Sequence, residues 1–304
     1  MKLRMKLRFF NPILMVITFV RKLLSMIKIR REVKVLSEVE LLKIRETAKL
    51  EILPLFEAVS QNELQSGFGV SYLIRTDNAT ILFDVGNNPK SLSPSPLEQN
   101  MASLGISMDD IDLMVISHRH PDHVGGMKWW AKNTFSLTGA SQPELGSLPI
   151  YVTEKLSYPG TEPIIAEMPT ELADGVVTTG RFTYFEPFPL WQIVPNDSEQ
   201  VLAVNVAGKG IVLIVGCGHM GLKPLLKRAK TIFDQPVIGV VGGLHYGKSN
   251  ADKLQSEIQS LRECHPQLVA LSPHDSGPAA VDVFAQAFPA SSQTIRVGVP
   301  ISFP

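Results

Sequence analysis

The sequence predicts an α/β protein with many short strands, in which the polar residues able to carry chemistry follow directly after strands. From about residue 50 onward, short apolar runs rich in β-branched residues alternate with turn-forming residues. Stretches with helical spacing separate some of these runs. The composition, 44% hydrophobic and 19% charged, is that of a globular protein, and a chain of 304 residues can bury a sizeable core.

The first 34 residues differ from the rest in charge. They contain ten basic residues and one acidic residue, a net charge of +9, so the remaining 270 residues carry −9. This distribution argues against nucleic-acid binding by the acidic body and for a separate role of the basic head. The two cysteines, Cys217 and Cys264, are too few for a disulfide framework and are compatible with a reducing compartment. We expect a cytoplasmic protein.

Residues 1–31 are predicted to form a basic amphipathic helix, with Asn11 and Pro12 as its N-cap and first helical residue. Such a helix can lie in the headgroup layer of an anionic membrane, and this membrane surface is the partner we expect for it. A signal anchor and docking on the protein's own body are the alternatives. The apolar positions are Phe9, Ile13, Val16, Val20, Leu23 and Ile27, and the polar positions opposite them are Asn11, Thr18, Arg21, Ser25 and Lys28.

Residues 32–49 are predicted to be a polar connector, and residues 50–304 a single folded body. Strands are predicted within residues 51–59, 69–76, 79–86, 111–117, 149–153, 201–206, 210–216, 236–243 and 268–273. Helices are predicted over residues 95–104 and 221–233.

Residues 117–126 read SHRHPDHVGG and place His118, His120, Asp122 and His123 within six positions. Since a strand is predicted just before them, the first two histidines leave the same face beyond its end. The two glycines that follow give the backbone room to begin a helix. Imidazoles and a carboxylate at this density are the ligands of two neighbouring divalent metals. Burying four such groups without a cation would be costly.

The segment SHRHPDHVGG resembles the His-x-His-x-Asp-His signature of the metallo-β-lactamase superfamily, and ATILFDVG resembles the strand before it. The later segments IVLIVGCGHMG, VVGGLHYG and LSPHDSG resemble the branch named for a dihydropterin ribofuranosyl-aminobenzene phosphate synthase. The resemblance covers roughly residues 50–304 and leaves out the head. It implies a four-layer αββα sandwich with two metals at one edge, where loops from both sheets meet.

The resemblance also implies the ligands. His118 and His120 would bind the first metal, and Asp122, His123 and His274 the second. Asp84 is expected to hydrogen-bond beneath the site.

The third ligand of the first metal is less well defined. His219 is our choice, although Cys217 stands where other branches place a bridging aspartate or a cysteine ligand. If the chain stays extended through Gly218, the two side chains point the same way, but the glycines on either side of Cys217 make a sharper turn an equal alternative.

The expected activity is hydrolysis of a small ester, thioester, lactone or phosphoester. Two divalent cations, zinc by default and manganese or iron as alternatives, would lower the pKa of a shared water and deliver hydroxide. Asp122 would orient that hydroxide or accept its proton, and His245 would stabilise the oxyanion or protonate the leaving group. The alternative is a membrane-tethered binding or scaffold module with a degenerate metal site.

Overall fold

Two β-sheets pack face to face in the computed structural model, which describes residues 12–37, 41–184, 198–247 and 249–303. The strands are β1 (Glu51–Phe56), β2 (Ser71–Arg75), β3 (Thr80–Phe83), β4 (Leu113–Val115), β5 (Ile150–Val152), β6 (Ile164–Ile165), β7 (Thr170–Ala173), β8 (Val176–Thr178), β9 (Phe182–Thr183), β10 (Ser198–Glu199), β11 (Leu202–Val206), β12 (Gly210–Val215), β13 (Val237–Gly242), β14 (Leu268–Leu271) and β15 (Ile301–Ser302). The helices are α1 (Pro12–Ser37), α2 (Pro96–Ser103), α3 (Met127–Trp130), α4 (Leu222–Ile232), α5 (Ala251–Arg262), α6 (Pro273–Ser276) and α7 (Pro278–Ala287), with a 3₁₀ helix at Met108–Asp110.

Both sheets combine antiparallel and parallel strands. The first has the order β15-β1-β2-β3-β4-β5-β6 and is parallel from β3 to β6. The second has the order β14-β13-β12-β11-β8-β7 and is parallel from β12 to β14, while β9 and β10 form a separate antiparallel ribbon. Parallel neighbours end at the same edge of a sheet, so the loops after β3 and β4, and those after β12, β13 and β14, are grouped at sheet edges.

Three hydrophobic clusters define four layers. Ile52 and Ile74 lie in the cluster between the two sheets, whereas their neighbours Leu53 and Leu73 pack with α2 on the outer face of the first sheet. This alternation follows from the period of two in a strand. On the outer face of the second sheet, Leu213 packs in the cluster that includes residues of α4, α5 and α7. The αββα sandwich implied by the family resemblance is therefore confirmed.

Each predicted strand and helix of the body is present within one or a few residues of its expected bounds. Ser95 caps α2 by accepting the N–H of Glu98 at 3.1 Å, and the Glu98 carboxylate accepts the N–H of Ser95 at 2.7 Å. Strand β4 stops at Val115 instead of running to Ser117, because the Ser117 N–H donates to Asp84 Oδ1 at 2.7 Å and not to a neighbouring strand.

The head contains the predicted helix, α1, which begins at Pro12 as the sequence indicated and continues past residue 31 to Ser37. The predicted N-cap Asn11 and the rest of residues 1–11 lie outside the described residues. Among the helices that the structure describes, none combines the length and the apolar character required to cross a membrane. Residues 41–49 then run beside the second sheet, where Thr47 pairs with Val206 of β11.

Candidate metal centre

Loops from both sheets bring the predicted ligands to one place. The 117–123 loop follows β4 of the first sheet, whereas the 217–219 and 272–275 segments follow β12 and β14 of the second. His274 Nε2, from the second sheet, lies 2.7 Å from Asp122 Oδ2, from the first. Residues more than 150 positions apart in sequence thus share one site at the edge of the sandwich.

The first ligand group consists of His118, His120, Cys217 and His219, whose donor atoms all lie within 4.8 Å of one another. His120 Nδ1 is 2.9 Å from His118 Nε2 and 3.1 Å from His219 Nε2. Three imidazole nitrogens therefore converge on one small volume, which is the arrangement that a single cation requires.

Two further sets of donor atoms, one from His123, Cys217 and Asp275 and the other from Asp122, His274 and Asp275, share Asp275, and we treat these five residues together as the second ligand group. Asp275 Oδ1 lies 3.6 Å from His274 Nε2, and Asp275 Oδ2 lies 4.0 Å from His123 Nε2. The sequence prediction did not include Asp275, which follows a predicted ligand directly. Its position adds a second carboxylate to this group.

Cys217 belongs to both groups. Its Sγ lies 3.2 Å from His123 Nε2 and 3.0 Å from Asp275 Oδ1, and it is also close to the donor atoms of the first group. The backbone turns sharply at Gly218, where φ is +69° and a Cβ would lie 2.6 Å from Gly243 O. Of the two backbone paths open from the sequence, the turn is the one present, and it brings both Cys217 and His219 into the site.

Asp84 orients two of the histidines from beneath, as expected. His123 Nδ1 donates to Asp84 Oδ2 at 2.7 Å, and the Ser117 hydroxyl donates to the same oxygen at 2.7 Å. The Ser117 oxygen in turn accepts from His118 Nδ1 at 2.9 Å. This network places the Nδ1 protons away from the site, so the Nε2 atoms of both rings face it.

Two further buried carboxylates hold the other ligand loops. Glu199 accepts the backbone N–H groups of Cys217, Gly218 and His219 at 2.9, 2.9 and 3.0 Å. Glu57 accepts the His274 N–H at 2.9 Å. Each loop that carries ligands is therefore fixed by one carboxylate: Asp84, Glu199 or Glu57.

The three imidazoles of the first group are neutral near pH 7. Burial lowers the pKa of His120 to about 4, and burial together with the neighbouring histidines holds the pKa of His118 and of His219 well below the ordinary value. Neutral imidazoles keep the lone pairs with which they bind metals.

The second group lies in negative surroundings. Burial lowers the pKa of His123, but the Asp84 and Asp122 carboxylates outweigh it and raise this pKa to about 10. Burial, with the nearby charges of Asp275 and Asp122, raises the pKa of the Cys217 thiol. Positive charge is thus favoured beside the carboxylates, and a divalent cation would reverse the shift at the thiol.

The donor set fits divalent metal ions. Asp275 is 4% exposed on its side chain, and its Oδ2 atom receives no hydrogen bond from the residues that the structure describes. A buried carboxylate oxygen without a hydrogen bond is costly, and a cation beside it removes that cost. Nitrogen, sulfur and carboxylate oxygen together are the ligands that zinc accepts.

One side of the centre is open. His118, His123 and Cys217 are buried, whereas Asp122 and His274 are partly exposed and His245 is exposed. The His245 ring lies 4.5 Å from the His219 ring, which places the predicted proton donor beside the first group. Two aromatic side chains border the same region: Tyr184 stacks on His219 at 4.6 Å, and Phe68 meets His274 edge-on at 5.5 Å.

The structure brings together every site residue that the sequence predicted: His118, His120, Asp122, His123, His219, His245 and His274. It adds residues that sequence reasoning missed. Asp275 could have been found, because it stands in the same strand-end segment as His274. Glu57 directly follows β1, the same kind of position as Asp84 after β3, and it could have been suspected for that reason.

Comparisons with known proteins agree with this geometry. The metallo-beta-lactamase superfamily model matches residues 65–200, which include the 117–123 loop. The 7,8-dihydropterin-6-methyl-4-(beta-D-ribofuranosyl)-aminobenzene-5'-phosphate synthase of Methanocaldococcus jannaschii is 25% identical over 272 residues, 78% of this chain and 90% of that protein.

Two solved structures share the fold. One is Tm1679, described as a metal-dependent hydrolase of the beta-lactamase superfamily, with a TM-score of 0.61, 21% identity and coverage of 83% of this chain and 98% of that chain. The other is the metallo-beta-lactamase fold protein YhfI from Bacillus subtilis, with a TM-score of 0.51, 12% identity and coverage of 84% and 99%. Together with the ligand-bearing loops, these likenesses show the metallo-β-lactamase fold and a resemblance of this chain to the metallo-β-lactamase superfamily.

Proposed function

We propose that this protein is a metal-dependent hydrolase that holds two divalent cations, one in each ligand group. The observation that carries the proposal is that both groups meet at Cys217, whose Sγ belongs to each of them. A residue shared by both groups would hold two bound cations close together, as dinuclear hydrolases do. The convergence of all the motif residues also argues against a degenerate site in a binding or scaffold module.

The ligands are assigned by proximity. His118, His120 and His219 would hold the first cation, and Asp122, His123 and His274 the second, with Asp275 added to the latter. Cys217 would bridge them. The proposal thus keeps the predicted role of His219 and gives Cys217 a role in addition, where the sequence had favoured one of the two.

Zinc is the metal that this mixture favours, because the first group offers only nitrogen and sulfur. The two carboxylates of the second group also suit manganese or iron. Bound divalent cations would supply Lewis acidity, polarising an electrophilic oxygen and making water a nucleophile near neutral pH.

The chain's own residues would orient the reactants on the open side. Asp122 is partly exposed, and its Oδ2 lies 2.7 Å from His274 Nε2, so the carboxylate stands on the open side, where it could orient the attacking water or accept its proton. His245 is exposed beside His219, so it could reach the leaving group of a substrate that enters from the solvent side. Phe68, 74% exposed next to His274, offers an apolar surface for the rest of the substrate.

The substrate class is a small ester, thioester, lactone or phosphoester. The test is a panel of these substrates with the metal-loaded wild type, the chelator-treated wild type and His120→Ala, with His265→Ala as a matched control. His265 is an exposed histidine in the turn after α5, so this control should behave as wild type.

We expect hydrolysis of at least one class, lost on chelation and in His120→Ala. Product analysis separates hydrolysis from transfer to another acceptor, a useful distinction because the archaeal relative is named a synthase. Equal rates for all four samples, or no turnover in any class by a fully metal-loaded chain, would contradict the proposal.

A further inference from the structure

Helix α1 turns a partly polar face toward the body. Ser25 is 5% exposed, and Ile29 and Glu32 are partly buried; their spacing of four and three residues puts them on the face toward the body. The helix contacts β9 and α4. The residues turned toward the body thus include a serine and a glutamate, although the body-facing side of a surface helix is normally apolar.

The contact with the body is polar and specific. The Glu32 carboxylate accepts the Thr183 N–H at 2.9 Å and the Thr183 hydroxyl at 2.5 Å. Arg181 Nε lies 3.9 Å from the same carboxylate. Thr183 precedes Tyr184, whose ring stacks on His219, so this contact fixes α1 close to the metal centre.

The opposite face is apolar and exposed. The exposed fractions are 69% for Phe19, 46% for Val20, 50% for Leu23, 54% for Leu24, 42% for Met26 and 41% for Ile27. Three of these residues, Val20, Leu23 and Ile27, are those that the sequence placed on the apolar side of the helix. The helix thus docks on the protein's own body, one of the alternatives considered from the sequence, but it does so through Ser25, Ile29 and Glu32, and the described apolar residues 19–27 stay exposed.

Basic residues lie next to this apolar face. Lys22, Arg30 and Arg31 are exposed, and the first 34 residues carry a net charge of +9. An apolar strip bordered by basic side chains complements a surface with apolar depth and negative headgroups. The net charge of −9 on the remaining residues opposes self-association through this helix, because two copies would bring their acidic bodies together.

We propose that the exposed face of α1, defined by residues 19–27 with Lys22, Arg30 and Arg31, docks onto an anionic phospholipid membrane surface. The helix lies along the interface with its apolar side chains in the headgroup layer. The Glu32–Thr183 contact holds the metal centre beside that membrane.

The test is co-sedimentation of the full chain with phosphatidylcholine vesicles and with vesicles that also contain phosphatidylserine. We expect binding to the anionic vesicles, weakened by added salt. Leu23→Glu with Ile27→Glu should lower the partition coefficient about tenfold or more, because two apolar contacts are lost. Arg30→Glu with Arg31→Glu should lower it by a similar factor, since each basic residue near such a surface contributes on the order of fivefold.

A control with the same charge change is Lys227→Glu with Lys230→Glu, two exposed lysines of α4. It should bind anionic vesicles as wild type does. Circular dichroism of all variants should match wild type, because the altered side chains are exposed.

Three results would overturn the proposal. The first is absence of binding by the wild type, and the second is an equal loss of binding in the α4 control. The third is a dimer, detected by analytical ultracentrifugation, that Leu23→Glu with Ile27→Glu dissociates while vesicle binding stays at background; the face would then join two copies of the chain.

Discussion

Replacing Cys217 by serine removes one sulfur atom and is expected to weaken metal binding at both positions. Cys217 is 2% exposed, so the nearly isosteric serine leaves the packing in place. The first ligand group falls from four residues to three and the second from five to four. His219→Ala, in contrast, removes a ligand from the first group alone.

The size of the effect follows from this shared position. Changes to residues that only support a metal ligand already cost about 10- to 100-fold in affinity. Loss of a ligand should cost at least as much, so we expect Cys217→Ser to weaken each of the two zinc affinities about 100-fold, roughly 2.8 kcal/mol. His219→Ala should weaken the first about tenfold or more and leave the second nearly unchanged.

The assay is competition with a chromophoric chelator, which resolves the two zinc affinities of the full chain. Cys264→Ser is the matched control, because Cys264 lies at the end of α5 with its Sγ 3.8 Å from Ser260 O, away from the site. It should keep both affinities. If Cys217→Ser matches Cys264→Ser within about twofold, or if zinc X-ray absorption shows no sulfur near about 2.3 Å, the bridging role is refuted.

Three further outcomes are expected. His120→Ala should abolish hydrolysis and lower the metal content while circular dichroism stays unchanged, since His120 is a proposed ligand at the open side of the site; a fully active variant would contradict this assignment. Glu199→Gln should leave a buried N–H of the 217–219 loop without its acceptor and lower the free energy of unfolding by about 1–3 kcal/mol, measured by denaturant titration. The control Glu263→Gln, at an exposed residue, should leave the free energy of unfolding almost unchanged. Gly125→Ala should destabilise the protein by at least about 2 kcal/mol more than Gly105→Ala. The backbone φ is positive at both glycines, but a Cβ at 125 would lie 2.2 Å from Ser136 O, whereas a Cβ at 105 would have open space. Equal melting temperatures of the two variants would refute this.

The grouping of the candidate metal ligands was predictable because their signal is local. His118, His120, Asp122 and His123 fall within six residues after an apolar run, and few structures other than a metal site explain that density. The longer strands were also predictable from a local signal, because an apolar run of five or six residues is long enough to be recognised in the sequence. Helix α5 could also have been predicted, because Asn250 caps it and Leu254, Ile258 and Leu261 recur at helical spacing.

Other features depend on contacts between distant segments. Glu199 is not adjacent in sequence to any candidate ligand. It supports the 217–219 loop only because the fold brings β10 next to that loop. Cys217 likewise belongs to both ligand groups only because loops of the two sheets meet around it. Strands of two to four residues, such as β6 and β9, are too short to show a period and owe their conformation to pairing with neighbours.

The most direct measurement of the central claim is the metal content of the full chain, determined by elemental mass spectrometry after zinc loading and exhaustive dialysis. Two cations held in two ligand groups predict close to two zinc ions per chain, falling toward one in His219→Ala. A wild-type chain that retains no metal after loading would contradict the account.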